Sequence, residues 1–119
     1  MNVTRILRME SAAVGVLGIV AFLSLGGSPP VLIPALLAPD LSILGYLAGP
    51  RVGAVTYNLV HNWGLAAGLA LLAIVIGQLW PLLAATAVAA HVGWDRALGY
   101  GLKLPTGFKD THLGRIGRT

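Results

Sequence analysis

The sequence predicts an all-α fold, a polytopic membrane bundle of about four transmembrane helices with both termini in the cytoplasm. Of the 119 residues, 56% are hydrophobic and 10% are charged, whereas soluble domains carry about 25% charged residues. A chain this short has too much surface to bury so much apolar area in a water-soluble core. We therefore expect lipid to be its solvent and residues 1–119 to form a single domain.

Composition also excludes several classes of function. The absence of cysteine excludes disulfides, thiolate metal sites and a cysteine nucleophile. The formal net charge of +4 comes from eight Lys/Arg and four Asp/Glu residues. The basic residues stand at the edges of apolar stretches, where anionic lipid head groups are their expected partners. The predicted partners are therefore membrane lipids and not nucleic acid.

Four apolar stretches are long enough to cross the hydrocarbon layer, which takes about 20 helical residues. The predicted spans cover about residues 9–25, 31–49, 52–77 and 81–103, and a basic tail follows over residues 104–119. Glycine and proline separate the stretches and favour helix ends there. We expect the first stretch to be a retained span rather than a cleaved signal peptide.

The distribution of basic residues predicts the orientation, because cytoplasmic loops are enriched in Lys and Arg. In a four-span topology every basic residue falls on one side of the membrane. These residues are Arg5, Arg8, Arg51, Arg96, Lys103, Lys109, Arg115 and Arg118. The other two loops carry none, which predicts that both termini are cytoplasmic.

Small residues indicate where helices pack against each other or against a partner. Gly64 and Gly68 form a small-xxx-small pattern in the third span, and such patterns let helix backbones approach closely in lipid. Partner membrane subunits or a second copy of the chain are therefore further expected partners.

Three predicted spans carry an ionisable residue at nearly the same depth. Asp40, His61 and His91 each lie roughly 15 Å from the cytoplasmic edge at a helical rise of about 1.5 Å per residue. Asp95 follows His91 by four residues and shares its face. Ionisable residues at such depths are costly and are functional candidates. We expect these four side chains to line an internal pocket that opens towards the cytoplasm.

Neighbouring residues extend this cluster. Tyr57 and Asn58 precede His61 by one helical turn and share its face. Pro39 removes a backbone hydrogen bond beside Asp40 and leaves carbonyl groups there free to act as ligands or acceptors. Arg51, Arg96 and Lys103 are expected at the cytoplasmic mouth. Together with Tyr57 and Asn58 they are candidate substrate-binding residues, and as basic residues they could equally be ordinary membrane anchors.

Three chemistries fit Asp40, His61, His91 and Asp95. Two imidazoles and two carboxylates are a plausible ligand set for one Zn²⁺, Mn²⁺ or Fe²⁺ ion, which would activate water for hydrolysis. The same residues could relay protons or an ion. They could also only pair with each other inside the bundle. The tail segment 108–112 could act as a lid that adds Asp110 or His112 to the site, or it could be a solvated end.

Four segments together resemble a known family. They are APDLSILGYL at residues 38–47, YNLVH at 57–61, AHVGWDRALGYGLK at 90–103 and FKDTHLG at 108–114. In this order they resemble the bacterial membrane family described as domain of unknown function 4260. The resemblance implies a small four-helix protein of the bacterial inner membrane and names no reaction. Family members often carry a second histidine after His61, where this chain has Asn62.

The leading hypothesis is a metal-assisted hydrolase or transferase that acts on a lipid or other amphiphile from the cytoplasmic side. Its catalytic and metal-binding residues would be Asp40, His61, His91 and Asp95. The first alternative is a non-catalytic accessory subunit of a larger membrane complex, and the second is a proton or ion pathway. The sequence leaves open whether the protein is an enzyme, because it contains no phosphate-binding glycine loop, serine elbow or dinucleotide motif.

Overall fold

The chain is built almost entirely from helices, as predicted. The computed structural model describes residues 2–116; the remaining tail residues, including Arg118, lie outside the described part. The elements in chain order are α1 (Val3–Ser24), α2 (Pro29–Leu37), a 3₁₀ helix (Ala38–Ala48), α3 (Pro50–Val60), α4 (Trp63–Ile76), α5 (Trp80–Leu98), β1 (Asp110–Thr111) and β2 (Gly114–Arg115). The two short strands pair in antiparallel fashion.

Two of the predicted spans are each divided into two helical segments. The second consists of α2 followed by the 3₁₀ helix, and the third bends by 45° between α3 and α4. Within residues 2–116, Val3–Ser24 and Pro29–Ala48 are long and apolar enough to cross a membrane. The bent pair α3 and α4 would provide a third crossing if it acts as one span. These apolar helices fit a membrane-associated protein.

Particular residues cause both breaks. Proline lacks an amide hydrogen, and Pro39 lies at the start of the 3₁₀ helix, directly after α2 has ended. At the second break, α3 ends at His61 with φ −109° and ψ 45°. Asn62 is extended and its side chain accepts a hydrogen bond from the Leu65 amide, which makes it the N-cap of α4. The side chain of Asn62 thus caps a new helix, which begins at Trp63.

The last helix, α5, is the centre of the molecule. It packs against α1, α4 and α2, and the buried part of its surface is rich in alanine. The backbones of α1 and α5 approach closely because glycines meet at their interface. A Cβ atom at Gly18 would lie 2.7 Å from the Thr86 carbonyl oxygen, and one at Gly93 would lie 2.6 Å from the Gly15 amide nitrogen. Small residues replace large apolar ones at this interface, as is common between helices in lipid.

Large apolar side chains point outward instead. Leu47, Ile74 and Val75 are 89%, 79% and 73% exposed, and similar residues cover the outside of α1 and α2. A soluble monomer rarely exposes so continuous an apolar surface. This arrangement suits a chain whose outer helices contact lipid while α5 is shielded.

The tail folds back onto the helices rather than extending into solvent. Lys103 pairs with Thr111 in antiparallel fashion, and the His112 amide donates to the Leu102 carbonyl at 2.9 Å. The Asn58 side chain holds this segment to α3, because it donates to the Lys103 carbonyl at 2.8 Å and accepts from the Lys103 amide at 2.6 Å. Residues 104–116 of the tail are therefore part of the folded structure.

The close approach of α1 and α5 predicts that Gly18→Ala lowers stability. Both Gly18→Ala and the control Gly68→Ala gain helix propensity, but among residues 2–116 no atom from outside the surrounding helix turn lies within 4 Å of a Cβ atom at Gly68. We expect Gly18→Ala to reduce the free energy of unfolding by about 1–3 kcal/mol through overpacking and Gly68→Ala to leave it unchanged or slightly higher. Thermal unfolding in detergent, followed by circular dichroism, measures both; equal melting temperatures would contradict the close packing.

Candidate metal centre

Four ionisable side chains from three helical segments converge on one point. Asp40 comes from the 3₁₀ helix, His61 from the end of α3, and His91 and Asp95 from successive turns of α5. One ligand atom from each side chain lies within 4.8 Å of all the others. The convergence expected from their equal depth in the sequence is confirmed.

Backbone carbonyls hold both imidazole rings. The Nδ1 atom of His61 lies 2.8 Å from the Tyr57 carbonyl oxygen, and Nδ1 of His91 is hydrogen-bonded to the Leu36 carbonyl oxygen. Because a carbonyl oxygen only accepts hydrogen bonds, each Nδ1 is assigned as the protonated nitrogen. In the neutral rings, both Nε2 atoms therefore direct lone pairs into the cluster.

The break in the second predicted span supplies one of these carbonyls. In a 3₁₀ helix the amide of residue 39 would bond to the carbonyl of residue 36, but Pro39 has no amide hydrogen. The Leu36 carbonyl is thus available to a side chain from another helix, and His91 uses it. A carbonyl close to Asp40 thus acts as a hydrogen-bond acceptor, as expected.

The distances within the cluster are those of a closely packed ligand set. The two Nε2 atoms are 3.1 Å apart. Asp40 Oδ1 lies 3.2 Å from His61 Nε2 and 3.1 Å from His91 Nε2. Asp95 Oδ2 lies 3.2 Å from His91 Nε2 and 3.8 Å from His61 Nε2. Ligands about 2.0–2.2 Å from a tetrahedral ion are about 3.3–3.6 Å apart, so the donor types and their spacing fit one divalent ion.

The cluster is buried on its histidine side and open on its carboxylate side. The side chains of His61 and His91 are 3% and 8% exposed, whereas those of Asp95 and Asp40 are 21% and 46% exposed. Asp40 is therefore not enclosed by the bundle as the sequence suggested. It ends at the mouth of the cluster because the 3₁₀ helix lies at the edge of the fold and contacts α2 and α3.

A cavity of about 320 Å³ adjoins the open side. It is lined by Asp40, Ile43, Tyr57, Asp95, Tyr100, Lys103, Phe108 and Ile116. Tyr57 connects it to the cluster, since its hydroxyl donates to Asp95 Oδ2 at 3.3 Å and its ring stacks on His61 with centroids 3.6 Å apart. Of the four residues predicted to line a pocket, Asp40 and Asp95 form part of this wall, whereas His61 and His91 lie behind them.

The five candidate substrate-binding residues lie in different places. Tyr57 and Lys103 line the cavity, whereas both amide atoms of Asn58 bind the Lys103 backbone. Arg96 donates to the His61 carbonyl at 3.3 Å and faces a second cavity between α1 and the tail. Arg51 is exposed in the first turn of α3. Arg96 thus supports the cluster through the His61 backbone, Asn58 holds the Lys103 backbone, and Arg51 lies on the outer surface.

Neither Asp110 nor His112 joins the cluster. Asp110 pairs with Arg115 at 2.6 Å and accepts from the Thr106 hydroxyl at 2.8 Å, and these contacts, the hydrogen bond from Thr106 first, lower the pKa of Asp110. Nδ1 of His112 accepts from the Leu102 amide at 2.8 Å. Burial and then the charge of Arg96 lower the pKa of His112. The tail instead contributes Phe108 and Ile116 to the cavity wall.

Some of these features could have been anticipated from the sequence and others could not. Asn62 is a preferred N-cap residue, and this signal would have revealed the break after His61. The use of the Leu36 carbonyl by His91 and the position of Phe108 over the cavity depend on contacts between distant segments. No local pattern encodes such contacts.

Comparison with known proteins identifies a family and no activity. A family model described as "Domain of unknown function (DUF4260)" matches residues 4–116, so the resemblance carried by the four motifs is confirmed. No curated protein and no solved structure matches the chain.

The hydrogen bond to His112 predicts a tail that loosens in mild acid. The folded state lowers the pKa of His112, so it favours the neutral ring. The stabilisation by the neutral ring is complete above the pKa of the unfolded state, about 6.5, and is lost as the pH falls through the pKa of the folded state. We expect hydrogen-exchange protection of the Leu102 amide, corrected for intrinsic rates, to be lower at pH 5 than at pH 7.5. His112→Asn keeps an acceptor that does not titrate, and an equal pH dependence in this variant would refute the assignment.

Proposed function

The chain belongs to the family described as Domain of unknown function (DUF4260), and we propose that its His/Asp cluster binds one divalent metal ion. The ion would be Zn²⁺, Mn²⁺ or Fe²⁺, held by Asp40, His61, His91 and Asp95. We propose further that the protein is a hydrolase or transferase for a lipid or other amphiphile. The single observation that carries the proposal is the 3.1 Å distance between the Nε2 atoms of His61 and His91, two rings whose Nδ1 atoms both bind backbone carbonyls. In the neutral rings two lone pairs would meet there.

Two such lone pairs repel each other unless a positive charge lies between them. Both Nδ1 atoms already donate to backbone carbonyls, so neither ring can turn its N–H inward without breaking a hydrogen bond. The positive charge would be a metal ion or a bound proton. Two carboxylate oxygens within 4.8 Å of both nitrogens favour the metal ion, because they complete a four-ligand set of suitable chemistry.

A bound ion would supply two kinds of chemistry here. It would lower the pKa of a coordinated water and polarise the group that the water attacks. Hydrolysis would then add the hydroxyl of that water to the electrophilic carbon or phosphorus and its proton to the departing oxygen. In a transferase, the hydroxyl of a second substrate would replace water.

The chain's own residues would orient these reactants. The Tyr57 hydroxyl, which donates to Asp95, would hold that carboxylate in place. The open carboxylate side of the cluster faces the cavity, so substrate would approach from there. Both Nδ1 atoms form hydrogen bonds to backbone carbonyls. Hydrogen bonds of this kind typically orient histidines that bind a metal ion.

We place the protein in the bacterial inner membrane as a multi-pass protein with four spans and cytoplasmic termini. The exposed apolar residues of the outer helices and the basic residues that share one side in this topology support the placement. The cavity contains Lys103, which follows the cytoplasmic end of the fourth span in this topology. Substrate would therefore enter from the cytoplasmic side.

A non-catalytic role in a larger membrane complex is the second candidate, and one observation favours it. In the described part of the chain, Gly68 of α4 has no neighbour from another element within 4 Å of its Cβ position, so its small-residue surface is available to another helix. In that case Gly68→Leu should convert a stoichiometric complex or dimer into a monomer in mild detergent, as measured by size-exclusion chromatography with light scattering. A wild-type monomer would contradict this role.

The metal proposal predicts about one Zn, Mn or Fe ion per chain in protein purified in detergent without chelators. The double variant Asp40→Ala, His91→Ala should lose the ion, because it removes one carboxylate and one imidazole from the set. His112→Ala is the matched control, since His112 lies outside the cluster, and it should keep the ion. Elemental analysis of the three proteins measures this directly.

The same experiment can reject the proposal. Well-folded wild-type protein that takes up no ion from a buffer with added Zn²⁺, Mn²⁺ or Fe²⁺ would remove the metal centre, and a hydrogen-bonded proton relay through His61 and His91 would replace it. Equal metal content in the double variant and in His112→Ala would show adventitious binding. Once a substrate is found, chelation should abolish turnover.

A further inference from the structure

The side chain of Lys103 is enclosed beside the cluster, and it borders the adjoining cavity. Lys103 is 4% exposed, which is rare for lysine unless it is paired. Within residues 2–116, its Nζ atom forms neither an ion pair nor a hydrogen bond. The hydrogen bonds of Lys103 are made by its backbone amide and carbonyl. The side chain lines the same cavity as Asp40 and Asp95.

The structure holds this ammonium group in place. Nζ lies 3.9 Å from the centroid of the Phe108 ring and 4.8 Å from that of the Tyr57 ring, and cation–π attraction stabilises a positive charge at such distances. The backbone of Lys103 is fixed by Asn58 and by pairing with Thr111. The rings stabilise the charge, but a ring face is not a conventional hydrogen-bond acceptor. The three N–H donors of the ammonium group therefore remain available to a ligand in the cavity.

The charge balance of the cavity wall indicates which ligand fits. With neutral histidines, Asp40, Asp95 and Lys103 together carry a net charge of about −1. A divalent ion in the cluster changes this to about +1, because the ion's own charge is the largest one in the site. A positive charge in a partly desolvated cavity attracts an anion strongly. The metal-loaded cavity would therefore select for a negatively charged group.

We propose that the cavity binds the anionic head group of an amphiphile, a phosphate or a carboxylate, between the metal site and Lys103. This inference rests on the proposed metal centre and specifies its substrate class. Ile43, Phe108 and Ile116 provide apolar wall for the adjoining carbon atoms. A volume of about 320 Å³ is at the lower end for ligand sites, so it holds the head group and the first part of a chain while the rest lies in the bilayer.

Calorimetric titration of metal-loaded protein in a neutral detergent tests the proposal. The probes are hexyl phosphate, inorganic phosphate and the uncharged hexyl glucoside. Lys103→Met removes the charge and keeps an apolar stem, Lys103→Arg keeps the charge, and Lys109→Met removes an exposed lysine of the same tail as the matched control. Metal content per chain is measured on every sample, because an intact cluster shows that the variant has folded.

We expect wild-type protein to bind hexyl phosphate more tightly than inorganic phosphate and hexyl glucoside. Lys103→Met should weaken hexyl phosphate binding about tenfold or more, the usual effect of losing a hydrogen bond to a charged group. Lys109→Met should bind like wild type, and Lys103→Arg should retain much of the affinity. Removal of the metal from wild type should also weaken binding, because the wall loses the two positive charges of the ion.

Four results would overturn the proposal. Equal binding by Lys103→Met and Lys109→Met, both metal-loaded, would leave the metal centre standing and remove the anion site. If inorganic phosphate bound as tightly as hexyl phosphate, the ligand would not need an apolar chain. If hexyl glucoside bound as tightly as hexyl phosphate, the ligand would not need a charge. Wild-type protein without metal would refute the metal centre and the anion site together.

Discussion

The structure depends on the way two buried imidazole rings are held by backbone carbonyls. His61 and His91 each use Nδ1 on a carbonyl oxygen, and this leaves both Nε2 atoms facing the same small volume. Buried polar groups are costly unless they are satisfied, so the surrounding backbone must supply acceptors at the right places. At the end of α3 the Tyr57 carbonyl accepts from both the amide and the ring of His61, and beside Pro39 the Leu36 carbonyl accepts from the ring of His91.

The helix that carries half of the cluster is also the most enclosed one. α5 contributes His91 and Asp95, and α1, α2 and α4 pack around it. Ionisable groups in a membrane protein are stable when they face the protein interior rather than lipid. The glycines at Gly15, Gly18 and Gly93 allow α1 to pack directly on α5, so polar chemistry is enclosed at the centre while apolar side chains cover the outside.

The tail is fixed to the helices and forms part of the cavity wall. Asn58 lies one turn before His61 and fixes the backbone of Lys103 through two hydrogen bonds. This contact links the helix that ends at His61 to the segment that forms the far wall of the cavity. Phe108 then lies over the Lys103 ammonium group. A segment that reads as a polar membrane-flanking tail is therefore an integral part of the pocket.

The sequence alone determined the all-α class, the apolar helices, the family and the four cluster residues. These follow from composition, from apolar length and from helical spacing, which are local properties; Asp40, His61, His91 and Asp95 stood out because charge in an apolar stretch is rare. The second and third spans are less continuous in the structure than in the prediction, because one helical segment ends and another begins at Pro39 and at Asn62. Only the tertiary structure decided which nitrogen of each imidazole faces inward and which carbonyl holds it. It also showed that Arg96 supports the cluster through the His61 carbonyl, that Asn58 holds the Lys103 backbone and that Lys103 lies against Phe108. Contacts of this kind join residues far apart in the chain, and their geometry arises only when the helices pack.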